Sequence, residues 1–321
     1  MLNIHSNKII GEAFKTLRVQ KGFSQRRLIY SNDNQHICDI RTLQRFESGI
    51  HTLRKEILIM LLDKLGVSIE QFADLVHKTA YSNFNSDYTM LWDLISGQKF
   101  DEAYRFFKEV KTKDYCNISN PLIAQTMFLV EGILTKRIHN DLEKSTKLYY
   151  QALALTAKEI FISGKILNSN KIGTRTFSVT EYRLLRAIAI AHLGLDDLVT
   201  AKAIFEAIIE SMESDKTPYE IRRQIMLGTY FNYSNLLLEQ EQFEDVLTVA
   251  CKGLELCYSI NEFALLGNFL GNKGLALHKV GDTEEALPLC KEAYLAFSRA
   301  GFEQKAEKFK TVMGQEHGVF F

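Results

Sequence analysis

The stretch "RTLQRFESG", residues 41–49, decides how the first part of the chain folds. Wound as a helix at about 100° per residue, it places Ile40, Leu43 and Phe46 on one face. The opposite face carries Arg41, Gln44 and Arg45. Glu47 comes close to the apolar face, where an unpaired carboxylate would cost free energy. The pattern therefore predicts an amphipathic helix that presents hydrogen-bond donors outward and needs an internal partner for Glu47.

The sequence around this stretch predicts five short helices within residues 1–78. The first is expected over residues 7–20, the third is the stretch itself, and the fifth is expected to end near Lys78. The helix boundaries are marked by Gly22 as a left-handed cap, by Gly49 and Gly66 as helix ends, by Ser24 as the N-cap of a helix beginning at Gln25, and by Ser68 with Gln71 as a capping box.

Positive charge is concentrated in this first segment. Residues 8–55 hold ten lysines and arginines against four acids, whereas the whole chain has 39 of each and no formal net charge. The first segment is therefore basic and the remainder is acidic. This asymmetry favours a polyanionic partner for the first segment alone.

Three separate motifs, "LRVQKGFSQRRL", "TLQRFESG" and "LGVSIEQF", resemble the helix-turn-helix domain of phage repressors and Cro. The resemblance implies that residues 41–47 form the recognition helix, which enters the major groove of double-stranded DNA. It also implies that Arg18 and Glu47 form a buried ion pair with a structural role. The turn over residues 31–39 is longer than that family's usual turn, which leaves open which donors reach bases and which reach phosphates.

The outward residues suit DNA chemistry on their own. Arginine can read guanine with two hydrogen bonds, and glutamine can read adenine in the same way. A helix N-terminus can also hold a phosphate oxygen, as the start of the second helix would. The predicted DNA-binding residues are Gln25, Arg26, Arg41, Thr42, Gln44 and Arg45.

The acidic remainder repeats a pattern of apolar helix, tight turn and second helix. The copies resemble degenerate tetratricopeptide repeats, and they cover residues 91–110, 127–153, 186–210, 232–256 and 271–301. Aligned on their turns, the last three copies are spaced by 47 residues from Val199 to Val246 and by 40 from Val246 to Ala286. Such an array is expected to form a right-handed superhelix with a concave wall. The expected fold is thus all-α, with a five-helix helix-turn-helix domain preceding the repeats.

Asparagines recur on the first helices of the last two copies. An asparagine side chain can bind both N–H and C=O groups of an extended peptide, whatever the peptide's side chains. Such asparagines are also common polar fillers between helices, so both interpretations stay open. The predicted peptide-binding residues are Tyr230, Asn232, Asn235, Asn268, Asn272 and His278.

Other chemistry has little support in the sequence. The five cysteines are scattered and form no Cys-x-x-Cys motif, and the eight histidines show no ligand spacing. No nucleophile motif or phosphate-binding glycine loop occurs, so we expect no catalytic residues, no metal and no cofactor. The absence of an apolar leader or a long apolar run predicts a cytoplasmic protein without membrane contact.

The combination of these two parts resembles the peptide-pheromone receptors of Gram-positive bacteria, the Rgg, PlcR and PrgX group. The resemblance implies a homodimeric transcription regulator that binds an operator and a short signalling peptide. The expected division is 1–78 for DNA binding, 79–89 as a polar linker, and 90–321 for peptide binding and dimerisation. Two alternatives remain: the repeats act as a protein adaptor without a peptide ligand, or they modulate a phosphatase or kinase partner.

Overall fold

The computed structural model describes residues 7–30, 35–117, 120–162, 166–214 and 220–321. These residues are mostly helical, as the sequence predicts. Part of the expected long turn, residues 31–34, lies outside them. One short antiparallel hairpin interrupts the helices, with strand β1 at Phe161–Ile162 and strand β2 at Ile166–Leu167.

The five predicted helices at the start of the chain are present. Their bounds are Asn7–Gln20 (α1), Gln25–Leu28 (α2), Ile40–Glu47 (α3), Lys55–Lys64 (α4) and Ile69–Ser96 (α5). Gly49 follows α3 with a φ of +73°, and an added Cβ there would lie 2.5 Å from the Cα of Lys8. A side chain at this position would therefore face both an unfavourable backbone conformation and a steric clash.

The prediction of a polar linker at residues 79–89 is wrong. This segment lies in the middle of α5, whose capping box at Ser68 and Gln71 is formed as predicted. Ala80, Phe84 and Leu91 are buried at helical spacing on the side of α5 that packs on its neighbours. Burial of this apolar face outweighs the weak helix preference of the serines and asparagines between these positions.

All five predicted repeat copies are helical hairpins. The first pairs α5 with α6 (Phe100–Val110), and the others pair α7 (Pro121–His139) with α8 (Leu142–Ala154), α10 (Val179–Gly194) with α11 (Leu198–Ser214), α12 (Glu220–Glu239) with α13 (Phe243–Ser259), and α14 (Leu266–Lys279) with α15 (Thr283–Arg299). The short α9 (Ser169–Gly173) precedes the third hairpin, and α16 (Glu303–His317) follows the fifth. Among the described residues, no helix has the length and apolar character needed to cross a membrane.

The hairpin turns show the register of the repeats. Each turn contains one residue with positive φ, and in the last three hairpins these are Asp196, Glu241 and Gly281. The first interval is therefore 45 residues, where the sequence predicted 47, and the second is 40 as predicted. The earlier alignment was wrong because it matched Val199, which lies three residues after Asp196, with Val246, which lies five after Glu241.

The chain separates into two compact units, residues 1–156 and residues 157–321. In the first unit one continuous apolar core joins α1 and α3 to α5 and to the first two hairpins. Phe14 of α1 makes edge contacts with Phe46 of α3 and Phe72 of α5 at centroid distances of 5.3 and 5.9 Å. In the second unit α10, α12 and α14 pack in succession, each with its own hairpin partner.

Candidate functional sites

The helix predicted to read DNA is held by its own sequence. The Asp39 side chain accepts a hydrogen bond from the backbone N–H of Arg41 at 2.7 Å and caps the start of α3. Leu43 and Phe46 are buried against the core of the first unit. These contacts place the opposite face of α3 toward solvent.

Glu47 is the centre of a polar network beneath that face. Arg18 and Glu47 form the predicted ion pair, with Nε donating to Oε1 at 2.5 Å and Nη2 donating to Oε2 at 2.9 Å. Both residues are buried, at 8% and 7% exposure. Gln25 donates its amide to Glu47 at 2.7 Å and accepts from Gln44 at 3.3 Å. The network therefore joins α1, α2 and α3 through the carboxylate of Glu47.

The outward donors differ in how freely they can reach a ligand. Arg26, Arg41 and Arg45 are exposed, and their guanidinium groups make no hydrogen bond or ion pair with any described residue. Thr42 is half-exposed at the side of α3. The amides of Gln25 and Gln44 are instead engaged with each other. The three arginines therefore form the part of the predicted DNA-binding set that is free to contact an anion.

A second candidate site lies on the first helices of the last three hairpins. Half-exposed residues recur there at helical spacing, on helices that otherwise bury most of their surface. We call this surface the A-helix stripe, and its defining residues are Arg186 on α10, Gly228, Asn232 and Asn235 on α12, and Asn268 and Asn272 on α14. Four of the six predicted peptide-binding residues lie on it.

The asparagines of the A-helix stripe already make hydrogen bonds within the chain. Asn272 donates to Ser234 and to Asn235, each at 2.8 Å, and so joins α14 to α12. Asn232 donates to the backbone carbonyl of Gly228 at 2.7 Å. Asn268 accepts from the ammonium group of Lys305 at 2.8 Å. A ligand that used these amides would have to exchange those bonds for its own.

The remaining two predicted residues lie elsewhere. Tyr230 is buried on the side of α12 that faces α11, where its hydroxyl donates to Glu213 at 2.8 Å. Burial and this carboxylate raise the pKa of Tyr230 well above its usual range. His278 is half-buried, and its Nε2 lies 3.1 Å from the carbonyl oxygen of His317. The structure therefore does not bring Tyr230 and His278 together with the asparagines.

Arg186 is the residue of the stripe that the sequence reasoning missed. It is a long cationic side chain in the otherwise apolar run "LLRAIAIA" of α10, which is an informative signal on a buried helix. The asparagines that indicate this surface occur on α12 and α14, and α10 contains none. In the register set by Asp196 and Glu241, the next residue, Ala187, corresponds to Asn232. Arg186 thus lies beside the row of asparagine positions.

Comparison with known proteins agrees with this architecture. Residues 150–304 match the sequence model of the RNPP family C-terminal domain. Among solved structures, apo PlcR from Bacillus thuringiensis is 18% identical with a TM-score of 0.62, covering 94% of this chain and 97% of that one. PlcR in complex with the peptide PapR7 and DNA is 20% identical with a TM-score of 0.57, covering 94% and 99%.

The apo form of the competence regulator ComR from Streptococcus vestibularis is similar as well. It is 18% identical with a TM-score of 0.52, covering 95% of this chain and 97% of that one. No curated protein sequence matches the chain. At these identities the structural likenesses establish the fold.

The fold and the two sites define the class of this protein. It is a predominantly helical protein with a helix-turn-helix domain followed by tetratricopeptide-like hairpins. Within it, residues 150–304 match the sequence model of the RNPP family C-terminal domain.

Proposed function

We propose that this chain is a cytoplasmic transcription regulator that binds operator DNA through α3 and a short signalling peptide through the A-helix stripe. One observation carries the proposal. The same chain has exposed arginines on α3, whose orientation the Arg18–Glu47 pair fixes, and a segment that matches the RNPP family C-terminal domain. PlcR, whose structure contains the peptide PapR7 and DNA, shares the fold. The protein is expected to act as a homodimer, because one helix-turn-helix head reads only a few base pairs.

In this proposal Arg41 and Arg45 contact bases or phosphates of the major groove. Arg26 adds a phosphate contact near the start of α2. Gln25 and Gln44 act as a hydrogen-bonded pair, with Gln44 nearer to the DNA. Thr42 lies at the edge of the contact. Arg18 and Glu47 hold α3 in place and do not touch DNA.

Gel retardation with the DNA upstream of the protein's own gene tests the DNA-binding part. Arg41→Ala and Arg45→Ala should each weaken specific binding by about 1–3 kcal/mol if the arginine reads a base. Arg299→Ala is the matched control, because Arg299 is exposed and lies far along the chain on α15. Unchanged affinity in both α3 variants would reject α3 as the recognition helix.

Calorimetry tests the peptide-binding part. Synthetic heptapeptides from the carboxyl ends of small secreted reading frames beside the gene are titrated into the full chain. Asn232→Ala together with Asn272→Ala should abolish the binding seen with wild-type protein. Since Asn272 also joins α14 to α12, urea unfolding of the variant must show that the second unit stays folded.

The hydrogen bonds of Asn272 to α12 favour one second candidate. If these asparagines serve only contacts between helices, the repeats are an adaptor for another protein and have no peptide ligand. The adaptor predicts no heat of binding with any heptapeptide. It also predicts unchanged DNA affinity when such peptides are present.

A further inference from the structure

Arg186 occupies an unusual position on the A-helix stripe. It is half-buried, and its guanidinium makes a single long hydrogen bond, from Nη1 to the carbonyl oxygen of Ile225 at 3.4 Å. The group lies directly against Gly228 of α12, where an added Cβ would come within 2.2 Å of Nη1. The glycine therefore provides the space in which the guanidinium rests. Most of the five N–H donors of this group remain available.

Among the side chains that the structure describes, none supplies a negative charge that compensates this cation. No carboxylate of the described residues forms an ion pair with Arg186, whereas Arg175 pairs with both Glu159 and Glu181. Burial and the positive charge of Arg183 lower the pKa of Arg186 to about 10, so the group stays charged at neutral pH. A partly desolvated charge without a partner costs free energy, and an incoming anion would recover it.

The surroundings indicate what kind of anion fits. Asn232 follows Gly228 by one helical turn and is bonded to its carbonyl group. Asparagine amides match the neutral N–H and C=O groups of a peptide backbone, and a guanidinium matches a carboxylate with two parallel hydrogen bonds. The stripe thus places a carboxylate-binding group beside a row of backbone-binding groups.

We propose that Arg186 binds a carboxylate of the signalling peptide in the space above Gly228, which makes the ligand class a peptide with an anionic group at this end of the stripe. The proposal rests on the proposed peptide-binding function. The carboxylate has two sources, the peptide's own carboxyl terminus or an aspartate or glutamate side chain. Both present the same chemistry to the guanidinium.

Peptide binding by variants separates these sources. The probe is a fluorescein-labelled synthetic heptapeptide that binds wild-type protein in the calorimetric experiment, made as the free acid, as the C-terminal amide, and with its acidic side chains replaced by amides. Arg186→Gln should weaken the free-acid form at least about tenfold. One of the two neutralised peptides should bind wild-type protein as weakly as the free acid binds Arg186→Gln. Which one does so identifies the source of the carboxylate.

Two further variants control the experiment. Arg223→Gln removes an equal charge from an exposed position on α12 and should leave affinity unchanged. Gly228→Ala should weaken the free-acid form as well, because the new methyl group displaces the guanidinium, and it should add no further loss to Arg186→Gln. The fold is checked by urea unfolding, in which Arg186→Gln should be at least as stable as wild type, since it removes an unpaired cation.

Two results would overturn the proposal. One is that Arg186→Gln binds the free-acid peptide as tightly as wild-type protein does. The other is that wild-type protein binds both neutralised peptides as tightly as it binds the free acid. If no heptapeptide binds wild-type protein, the proposed function fails, and N-acetylglycine then tests Arg186 alone. This probe should shift the NMR signal of the arginine Nε–H in wild-type protein more than N-acetylglycinamide does, and an equal response to both would refute the carboxylate site.

Discussion

At the scale of single residues, Glu47 controls the orientation of the face of α3 that is proposed to contact DNA. Its carboxylate accepts hydrogen bonds from Arg18 on α1 and from Gln25 on α2, and Gln25 in turn holds Gln44. A buried carboxylate that joins three helices fixes how α3 is oriented. The outward arginines are therefore positioned by a residue that is itself buried.

Replacing Glu47 should unfold this part of the chain more easily. In Glu47→Gln the buried guanidinium of Arg18 loses its counter-ion, and removing one partner of a buried pair typically costs about 3–5 kcal/mol. Urea unfolding of the full chain, followed by circular dichroism, measures the free energy of unfolding. Glu56→Gln on α4 is the control, because Glu56 is exposed and should change stability by less than about 0.5 kcal/mol. Equal stability of the two variants would show that the Arg18 pair contributes nothing.

At the scale of helices, α5 joins the helix-turn-helix segment to α6, its partner in the first hairpin. The helix runs without a break from Ile69 to Ser96 and contributes Phe72, Phe84 and Leu91 to one continuous core. Asn83 on its exposed side donates to Glu12 of α1 at 3.2 Å. The connection is thus a continuous helix that packs on α1, and it is not a flexible polar linker.

A proline in α5 distinguishes a helix from a linker. Asn85 is exposed and lies near the middle of residues 79–89, the range that the sequence predicted to be a linker. Asn85→Pro removes a backbone donor and clashes with the carbonyl group of Tyr81, which should cost about 3 kcal/mol or more in a helix interior. A flexible linker would tolerate the same change.

The control for this experiment is Asn85→Ala at the same position. Alanine favours helix more strongly than asparagine does, so this variant should be at least as stable as wild type. Thermal unfolding of the two variants gives the comparison. A melting temperature of Asn85→Pro equal to that of Asn85→Ala would mean that this part of α5 is not helical in solution.

The helices were readable from the sequence because each carries local signals. Apolar residues at helical spacing, with Ser24 and the Ser68 box as caps, placed the helices of the head and all five hairpins. The end of α5 was missed because a run of serines and asparagines resembles a linker, whereas burial of Phe84 depends on neighbours distant in sequence.

The candidate sites were only partly readable, for a related reason. The Arg18–Glu47 pair was implied by the resemblance of the first three motifs to the helix-turn-helix domain of phage repressors. The stripe depends on the position of the left-handed turn residues Asp196 and Glu241, which have no distinctive sequence signal since neither is glycine. The asparagine pattern occurs on α12 and α14 only, so it gave no signal for Arg186 on α10. The burial of Tyr230 depends on its contact with Glu213 of α11, which the sequence of α12 does not encode.

At the scale of the whole molecule, charge is divided along the chain. The basic residues of the first segment include the exposed Arg26, Arg41 and Arg45, while the rest of the chain is acidic by the same amount. Binding to a duplex releases counter-ions from each neutralised phosphate, so affinity should fall steeply with salt. The acidic remainder should reduce contact with DNA outside the head.

Salt dependence separates phosphate contacts from base contacts. Arg26→Ala should weaken binding to all sequences alike and reduce the slope of log affinity against log salt by about 1. Arg45→Ala should instead reduce discrimination between operator variants if it reads a base. Fluorescence anisotropy between about 50 and 200 mM salt measures both quantities. Identical slopes and identical specificity in the two variants would contradict this division of roles.

Because α5 is continuous between the helix-turn-helix segment and α6, DNA affinity should depend on the spacing between the two half-sites of the operator. A homodimer that reads two half-sites needs both recognition helices on one side of the duplex, about 10–10.5 base pairs or a multiple apart. Helix-turn-helix domains on flexible linkers could move to reach a displaced half-site. Domains that share an apolar core with the first hairpin could reach it only by distorting that core. Inserting about five base pairs between the half-sites turns one of them to the opposite side of the DNA, so affinity should fall at least about tenfold. An insertion of about ten base pairs should recover part of the loss. Unchanged affinity for the five-base-pair insertion, measured by gel retardation, would show that the heads move independently of α5 and its hairpin.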